Sequence, residues 1–397
     1  MPRIPSLLLL LFVLTFINCE RAIEIDEPTI QTLLSIEVED YLLEGDRGFY
    51  YLNAADGSLL AGDEFTNQSS IEIILPYQDT DLSFTFLTSN ADINRVKAYS
   101  YLDVPIGTSF ILSRTAKISS NSANISFMNF PADYKEIVLA KSQYYSPISP
   151  GTLADGQEFS WGYNAVNPFV VITTLDANNV PSLQSLDLSD QVTIDLQLSQ
   201  PMTGLHTVEV FQPNADYGLT LSGLTATDET YRLYYSELTA TGENLDLYTP
   251  ALFDQFDVRL TQTTSNVVYG QRTQGNLPGS FEKFDPTITI GNNSFDAFDI
   301  NTSDTPSFTH AQWKTADNSI TWMVHGSNAL SNNSGISTLP ESTEIPVDLA
   351  ASLNDLELQW VQAVAVGTLT YNEVIVDLVE DRIDEQPMIL SKSLLVE

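Results

Sequence analysis

The chain has 397 residues, 43% of them apolar, and 52 carboxylates face only 16 Lys and Arg, giving a net charge of −36. No basic stripe runs along it that could track a phosphate backbone, so nucleic acid is excluded as a partner. The same anionic surface repels anionic headgroups, so any membrane attachment has to come from something other than surface charge.

In chain order, Met1, Pro2 and Arg3 precede an uncharged apolar run from Leu7 to Ile17, which is too short to span a bilayer and has the length of a secretory core segment. The lone cysteine, Cys19, follows directly. Cleavage before it leaves its thiol on the first mature residue, ready for diacylglyceryl attachment. The string Phe16-Ile17-Asn18-Cys19 resembles the lipobox of Bacteroidota lipoproteins, and the acidic start Glu20, Glu24, Asp26, Glu27 resembles their surface-export signal. That resemblance implies a cell-envelope protein whose membrane partner is reached through a lipid on Cys19, at the outer membrane and surface-exposed. A mature chain with no further cysteine is held by core burial alone, as suits a bacterial envelope protein. Five Asn-X-Ser/Thr triplets, at Asn67, Asn124, Asn292, Asn301 and Asn332, are read as loop composition.

Beyond the signal, period-two alternation and β-branched or aromatic runs recur, and no apolar helical spacing is sustained beyond about two turns. Strands are expected at 69–75, 82–88, 136–141, 169–175, 192–198, 207–211, 258–264 and 320–324, with a closing strand at 374–379. The fold class is therefore all-β, with tandem β-sandwich domains behind a cleaved lipoprotein signal. The expected division is a signal at 1–18, an acidic tether at 19–32, sandwiches at 33–115 and 116–225, and a C-terminal β domain at 226–397. No repeat with a fixed short period is visible. Around Asp56-Gly57 the sequence reads strand, tight turn, strand, because Gly57 supplies the positive φ the reversal needs. With Val104-Pro105-Ile106-Gly107 near its end, the stretch from Leu33 to Ser113 resembles an immunoglobulin-like or carboxypeptidase-regulatory-like sandwich.

Chemistry is sparse. The histidines His206, His310 and His325 belong to no catalytic motif, so the expectation is a protein that is not an enzyme, with no cofactor and no metal. Asp79-Thr80-Asp81 and Asp176-Ala177-Asn178-Asn179 offer hard oxygens for calcium without EF-hand spacing; turn formation is the simpler reading. The sharpest local inference concerns Asp317-Asn318. As a hairpin turn it pairs Ala316 with Ser319, Lys314 with Thr321, Trp313 with Trp322 and His310 with His325, the tryptophans on one face and the histidines on the other. Adjacent indoles are either a core anchor or a flat platform for a sugar ring, so Trp313 and Trp322 are the candidate ligand platform. Trp161 and the pair Tyr144-Tyr145 are further candidate exposed aromatics. The function expected is a lipid-anchored envelope protein with a non-catalytic binding, adhesive or structural role and a glycan or protein partner. Two alternatives stand beside it: an outer-surface glycan-binding lipoprotein of a polysaccharide-uptake system, and a carbohydrate-active hydrolase.

Overall fold

The computed structural model describes residues 29–90, 95–113, 121–141, 144–163, 169–188, 191–225, 229–332, 336 and 353–396; the signal and Cys19 lie outside them. The chain is all-β, 63% strand and 6% helix. Its strands form four two-sheet units that share one six-strand pattern, the flanking seventh strand coming last and parallel in the first three and first and antiparallel in the fourth.

Unit I contains β1 (Thr29–Val38), β2 (Asp46–Ala54), β3 (Leu59–Phe65), β4 (Ser69–Tyr77), β5 (Asp81–Asn90), β6 (Arg95–Pro105) and β7 (Thr108–Leu112). Its small sheet is ordered β4-β1-β7, with β7 parallel to β1, and its large sheet β3-β2-β5-β6. Unit II contains β8 (Asn121–Met128), β9 (Tyr134–Lys141), β10 (Tyr144–Ile148), β11 (Glu158–Tyr163), β12 (Phe169–Asp176), β13 (Pro181–Asp187) and β14 (Gln191–Asp195). The same order recurs, β11-β8-β14 with a parallel β8/β14 pair, and β10-β9-β12-β13 extended at its edge by β15 (Gln200–Pro201). Unit III has β16 (Gly204–Glu209), β17 (Asp216–Leu224), β18 (Thr230–Thr239), β19 (Asn244–Thr249), β20 (Gln255–Thr264) and β21 (Val267–Gly275). Here the sheets are β16-β19 and β18-β17-β20-β21, and the seventh strand shrinks to a parallel bridge between Glu209 and Ser280. Unit IV contains β22 (Ile288–Asn292), β23 (Asp299–Thr302), β24 (Phe308–Lys314), β25 (Ile320–Gly326), β26 (Ala329–Ser331), β27 (Glu357–Val366) and β28 (Met388–Leu395). Its sheets are β22-β23-β26 and β25-β24-β27-β28.

In each unit the two sheets close over an apolar core fed by alternate residues of both. Leu34, Ile36, Phe110 and Phe84 are buried in unit I, Ile125, Phe127, Leu139 and Ile172 in unit II, and Val208, Leu247, Leu219 and Val258 in unit III. The opening hairpin forms as expected: Gly57 takes φ +84°, and Asp56 accepts hydrogen bonds from the Ser58 amide and hydroxyl. Two expected boundaries are corrected by the strand order: the end of the tether at 32/33 falls inside β1, and a later division falls inside a hairpin. The division at 225/226 falls inside the connection from β17 to β18, whose strands pair along one antiparallel ladder. The stretch 226–397 holds the rest of unit III and all of unit IV, so four sandwich units stand where three domains were expected.

The segment 374–379 is also corrected. It belongs to an α-helix, α1 (Tyr371–Val379), inserted between β27 and β28. Valines at alternate positions suggested a strand, but the helix buries Tyr371, Val374, Ile375 and Val379, one face of a 3.6-residue period. Glu373 reaches back to the Thr370 amide at 2.7 Å, the capping-box contact that starts a helix. The closing strand is β28. Likewise the run 192–198 ends as a strand at Asp195 and continues as a 3-10 turn.

Three of the four large sheets join edge to edge. β21 pairs antiparallel with β28, and β25 pairs parallel with β6, giving one twelve-stranded sheet through units III, IV and I. The small sheets of units I and IV cover opposite faces of it, so buried residues of β2 and β6 alternate between the two cores: Leu52 and Tyr101 in one, Tyr51 and Ala98 in the other. Tyr51 donates its hydroxyl proton to the Ile336 carbonyl at 2.7 Å.

The paired indoles lie in the unit IV core. Trp313 stands opposite Trp322, both have zero exposure, and Phe295 packs on them at ring separations of 5.5 and 4.7 Å. Each indole N–H is satisfied, Trp313 by the Asn293 carbonyl and Trp322 by Ser100 Oγ in unit I. We expect Trp322→Ala to lower unfolding free energy by about 3 to 5 kcal/mol, the range for deleting a large buried aromatic. Chemical denaturation measures it; a loss below about 1 kcal/mol would mean that the site is not close-packed.

Candidate functional site: a cleft over the seam of units I and IV

Burial of Trp313 and Trp322 removes them as a ligand platform, since neither ring has a free face. Trp161 is also a core residue, packed in unit II with only 6% of its surface exposed. Tyr144 and Tyr145 lie on β10, and their side chains are outside the described residues. The calcium candidates act as turn formers: Asp176 Oδ1 accepts from the amides of Asn178 and Val180, and Asn179 takes φ +61°. Among the described residues no group of three or more His, Cys, Asp or Glu side chains is placed to hold a metal. Asn67, first of the glycosylation-type triplets, spends its side chain on the amides of Tyr41 and Leu42 and the Leu42 carbonyl.

The hairpin at Asp317-Asn318 keeps the expected register, including the pairing of His310 with His325. The loop is longer than two residues. The Thr315 amide bonds the Ile320 carbonyl, the Asn318 amide returns to the Thr315 carbonyl, and Asn318 takes φ +57°. Asp317 accepts from Ser319 and Thr315, which holds its carboxyl down at about 2. A symmetric four-residue loop centred on the same two residues preserves the strand pairing, so the two faces separate as the sequence indicates.

On the face opposite the indoles, a row of side chains runs in register across five strands and over the seam. Phe84 of β5 stands opposite Tyr101 of β6, Tyr101 opposite His325 of β25, His325 opposite His310 of β24, and His310 opposite Gln362 of β27. Tyr101 and His325 are stacked, with centroids 4.8 Å apart and planes within 10°. His310 lies 5.2 Å from His325, and Trp360 meets its ring edge-on at 4.9 Å. Gln362 Oε1 accepts from His310 Nε2, which puts the proton of the neutral ring on Nε2 and leaves Nδ1 as a bare acceptor. His310 Nδ1 and both ring nitrogens of His325 are buried without a hydrogen-bond partner among the described residues. Burial holds the His310 imidazole down at about 4 despite the Gln362 bond. Burial, and then the neighbouring His310, push His325 well below the usual histidine range.

Tyr101, His325 and His310 of this row lie along the floor of a cleft of about 610 Å³. Phe86, Tyr99 and Met323 continue the floor, Tyr41 and Leu43 line it from unit I, and Leu378, Val379 and Ile383 line it from α1 and the turn beyond. Lys97 and Arg95 lie farther along β6, with Thr88, Asn90 and Asp46 nearby. Asp381 also lines the cleft, its carboxyl raised by burial and by Asp384 beside it. The volume suits one drug-sized molecule. Neutral buried imidazoles and hydroxyls on an aromatic floor can hold a ligand by shape and directed hydrogen bonds. The third histidine, His206, lies elsewhere and bonds the Pro278 carbonyl.

The sequence pairs the histidines correctly but gives them no setting. Tyr101, the ring that stacks on His325, is contributed by a strand more than two hundred residues earlier, and no local pattern signals that β6 and β25 are neighbours.

No protein-family model matches the chain, and no curated protein matches it. Among solved structures, one that aligns is the crystal structure of Salmonella alpha-2-macroglobulin reacted with methylamine, at 8% identity and a TM-score of 0.13. The alignment covers 72% of this chain and 25% of that one, and a likeness at that level carries no argument.

The histidine pair makes stability depend on pH. An unfolded histidine takes its proton near pH 6.5, whereas the folded His310 does so only near 4 and His325 also resists. Between those values the unfolded state binds more protons, so stability is full above about pH 6.5 and falls as pH drops toward 4, by up to about 1.4 kcal/mol per pH unit for each histidine. Replacing both, His310→Gln with His325→Phe, should flatten the profile across that window. Denaturation midpoints of the two proteins from pH 7 to about 4.5 test this; parallel profiles would show that the histidines carry no such linkage.

Proposed function

We propose that the chain is a lipid-anchored envelope protein with a non-catalytic binding role, held at the outer membrane through Cys19, and that the cleft between units I and IV receives its ligand. The observation that carries this reading is the buried His325 in the cleft, whose two ring nitrogens have no hydrogen-bond partner among the described residues. Leaving such groups unpaired is expensive, and a bound molecule supplies what the fold does not. A binding role also fits the histidine chemistry. His310 is oriented by an amide rather than a carboxylate, and burial keeps both rings neutral, which suits donors and acceptors better than a proton relay. The glycan-binding alternative drew on exposed indoles, and Trp313 and Trp322 are core residues. The membrane anchor is supported by the sequence alone, through Cys19 and the apolar run before it.

Two measurements test this reading. In detergent phase partitioning the native protein should enter the detergent phase and Cys19→Ser the aqueous phase; a variant that stays with detergent contradicts the anchor. For the cleft, the neutral fluorescent probe N-phenyl-1-naphthylamine should bind the released protein at one site and be excluded by Met323→Trp, which fills the floor. Equal binding by both proteins places the probe elsewhere and contradicts the assignment.

A further inference from the structure

We propose that this cleft takes an elongated amphipathic acid: an apolar body about 13 Å long, with a carboxylate at one end and a hydroxyl or carbonyl group at the other. The inference rests on the cleft being the binding site, and it is carried by how the two ends of the cleft differ.

At the inner end the groups awaiting partners are neutral. His325 is 4% exposed with both ring nitrogens unpaired, and His310 Nδ1 beside it is a bare acceptor. A neutral imidazole presents one N–H and one lone pair, and a hydroxyl, both donor and acceptor, answers either. A charged group at that depth would lose its hydration without meeting a counter-ion. The middle is lined by Phe86, Tyr99 and Met323, with Leu378 also lining the cleft, and offers apolar contact.

At the outer end stands Lys97, four residues before Tyr101 on the same face of β6, or about 13 Å at strand rise. Its neighbours in register are Thr88 on β5 and Thr321 on β25, so no carboxylate flanks it on either side. In a chain of net charge −36, a cation that forms no ion pair with any of the described residues along a cleft is an unusual resource, and Arg95, two residues farther out, forms none with them either. Among the described residues in that register, Asp46, which stands opposite Asn90, already accepts from Asn90 Nδ2 at 2.7 Å and from the Leu43 amide at 3.1 Å. An anionic head therefore has one favourable place in the cleft, and the rest of the acidic surface opposes its binding elsewhere. The distance between the two ends selects molecules that reach both.

The test uses the full chain carrying Cys19→Ser, so that no detergent competes, and isothermal titration with three probes: ω-hydroxydecanoate, decanoate and the terminal decanediol. The expected order places ω-hydroxydecanoate tightest. Lys97→Gln should weaken both acids about tenfold, the size of one charge-assisted hydrogen bond, and leave the diol unchanged. His325→Phe, which keeps a ring against Tyr101, should make ω-hydroxydecanoate and decanoate bind alike. Acids that bind no better than the diol, or that are indifferent to Lys97→Gln, overturn the proposed ligand class while leaving the cleft as a binding site. If no probe binds, this inference falls, and the naphthylamine measurement decides separately whether the cleft reading falls with it.

Discussion

The structure depends on a parallel pairing between two sheet edges that are remote in sequence, β6 from Val96 to Tyr101 and β25 from Ile320 to His325. A sandwich has open edges, and an unpaired edge invites association with any other strand. Units I and IV remove one edge each by using the other's. Parallel ladders are slightly weaker per residue than antiparallel ones, so the join is reinforced on both faces. On one face Trp322 donates to Ser100 Oγ, which is itself paired with Thr85 Oγ1 at 2.7 Å. On the other the ring row from Phe84 to His310 crosses the same strands. Helix α1 adds a third tie: its C-cap residue, Glu380, accepts from the Ile111 amide of unit I.

The seam explains why a polar row is tolerated inside the protein. A single sandwich would fill those positions from its own small sheet. In unit IV the small sheet covers the indole face, and among the described residues of the unit α1 roofs the opposite face, leaving a gap toward unit I. The cleft is thus a consequence of joining two sandwiches that carry their small sheets on opposite sides. Scarce cations are spent at the other join. Asp257 of β20, 5% exposed, receives both ends of the Arg272 fork, and Asp384, in the turn after α1, meets Arg259 and Arg272 from unit IV. Asp285, between units III and IV, is held down at about 2 by Lys283 and Lys392. With 16 Lys and Arg in the chain, placing several at one join leaves few to neutralise the rest of the surface.

Much of the local structure was legible because it is written at short range. Alternation and β-branched or aromatic runs identified β5, β12 and β20, Asp56-Gly57 marked its hairpin, and the symmetry of the Asp317-Asn318 loop set the pairing of both tryptophans and both histidines even though the loop is longer than the two residues assumed. Where two periods compete over a short run, sequence reading fails: Val374, Val376 and Leu378 alternate, yet Val374, Ile375 and Val379 are the buried ones, and the Thr370–Glu373 cap decides for helix. The fourfold recurrence was invisible because it resides in strand order and not in residue identity, and a unit boundary was placed inside the β17–β18 hairpin for that reason. Burial of the indoles was undecidable from the hairpin alone, since it depends on Phe295 and on Ser100 of another unit. The cleft was hidden most completely, because its floor needs β6 beside β25.

Amide hydrogen exchange along those two strands tests the account most directly. If units I and IV share one sheet, the amides of β6 and β25 that face the seam exchange only through global unfolding, as slowly as those at the centre of β5 and β24. If β6 and β25 instead exchange as frayed, solvent-exposed edges while β5 and β24 stay protected, the two sandwiches are not joined, and the ring row and the cleft over it do not exist as described.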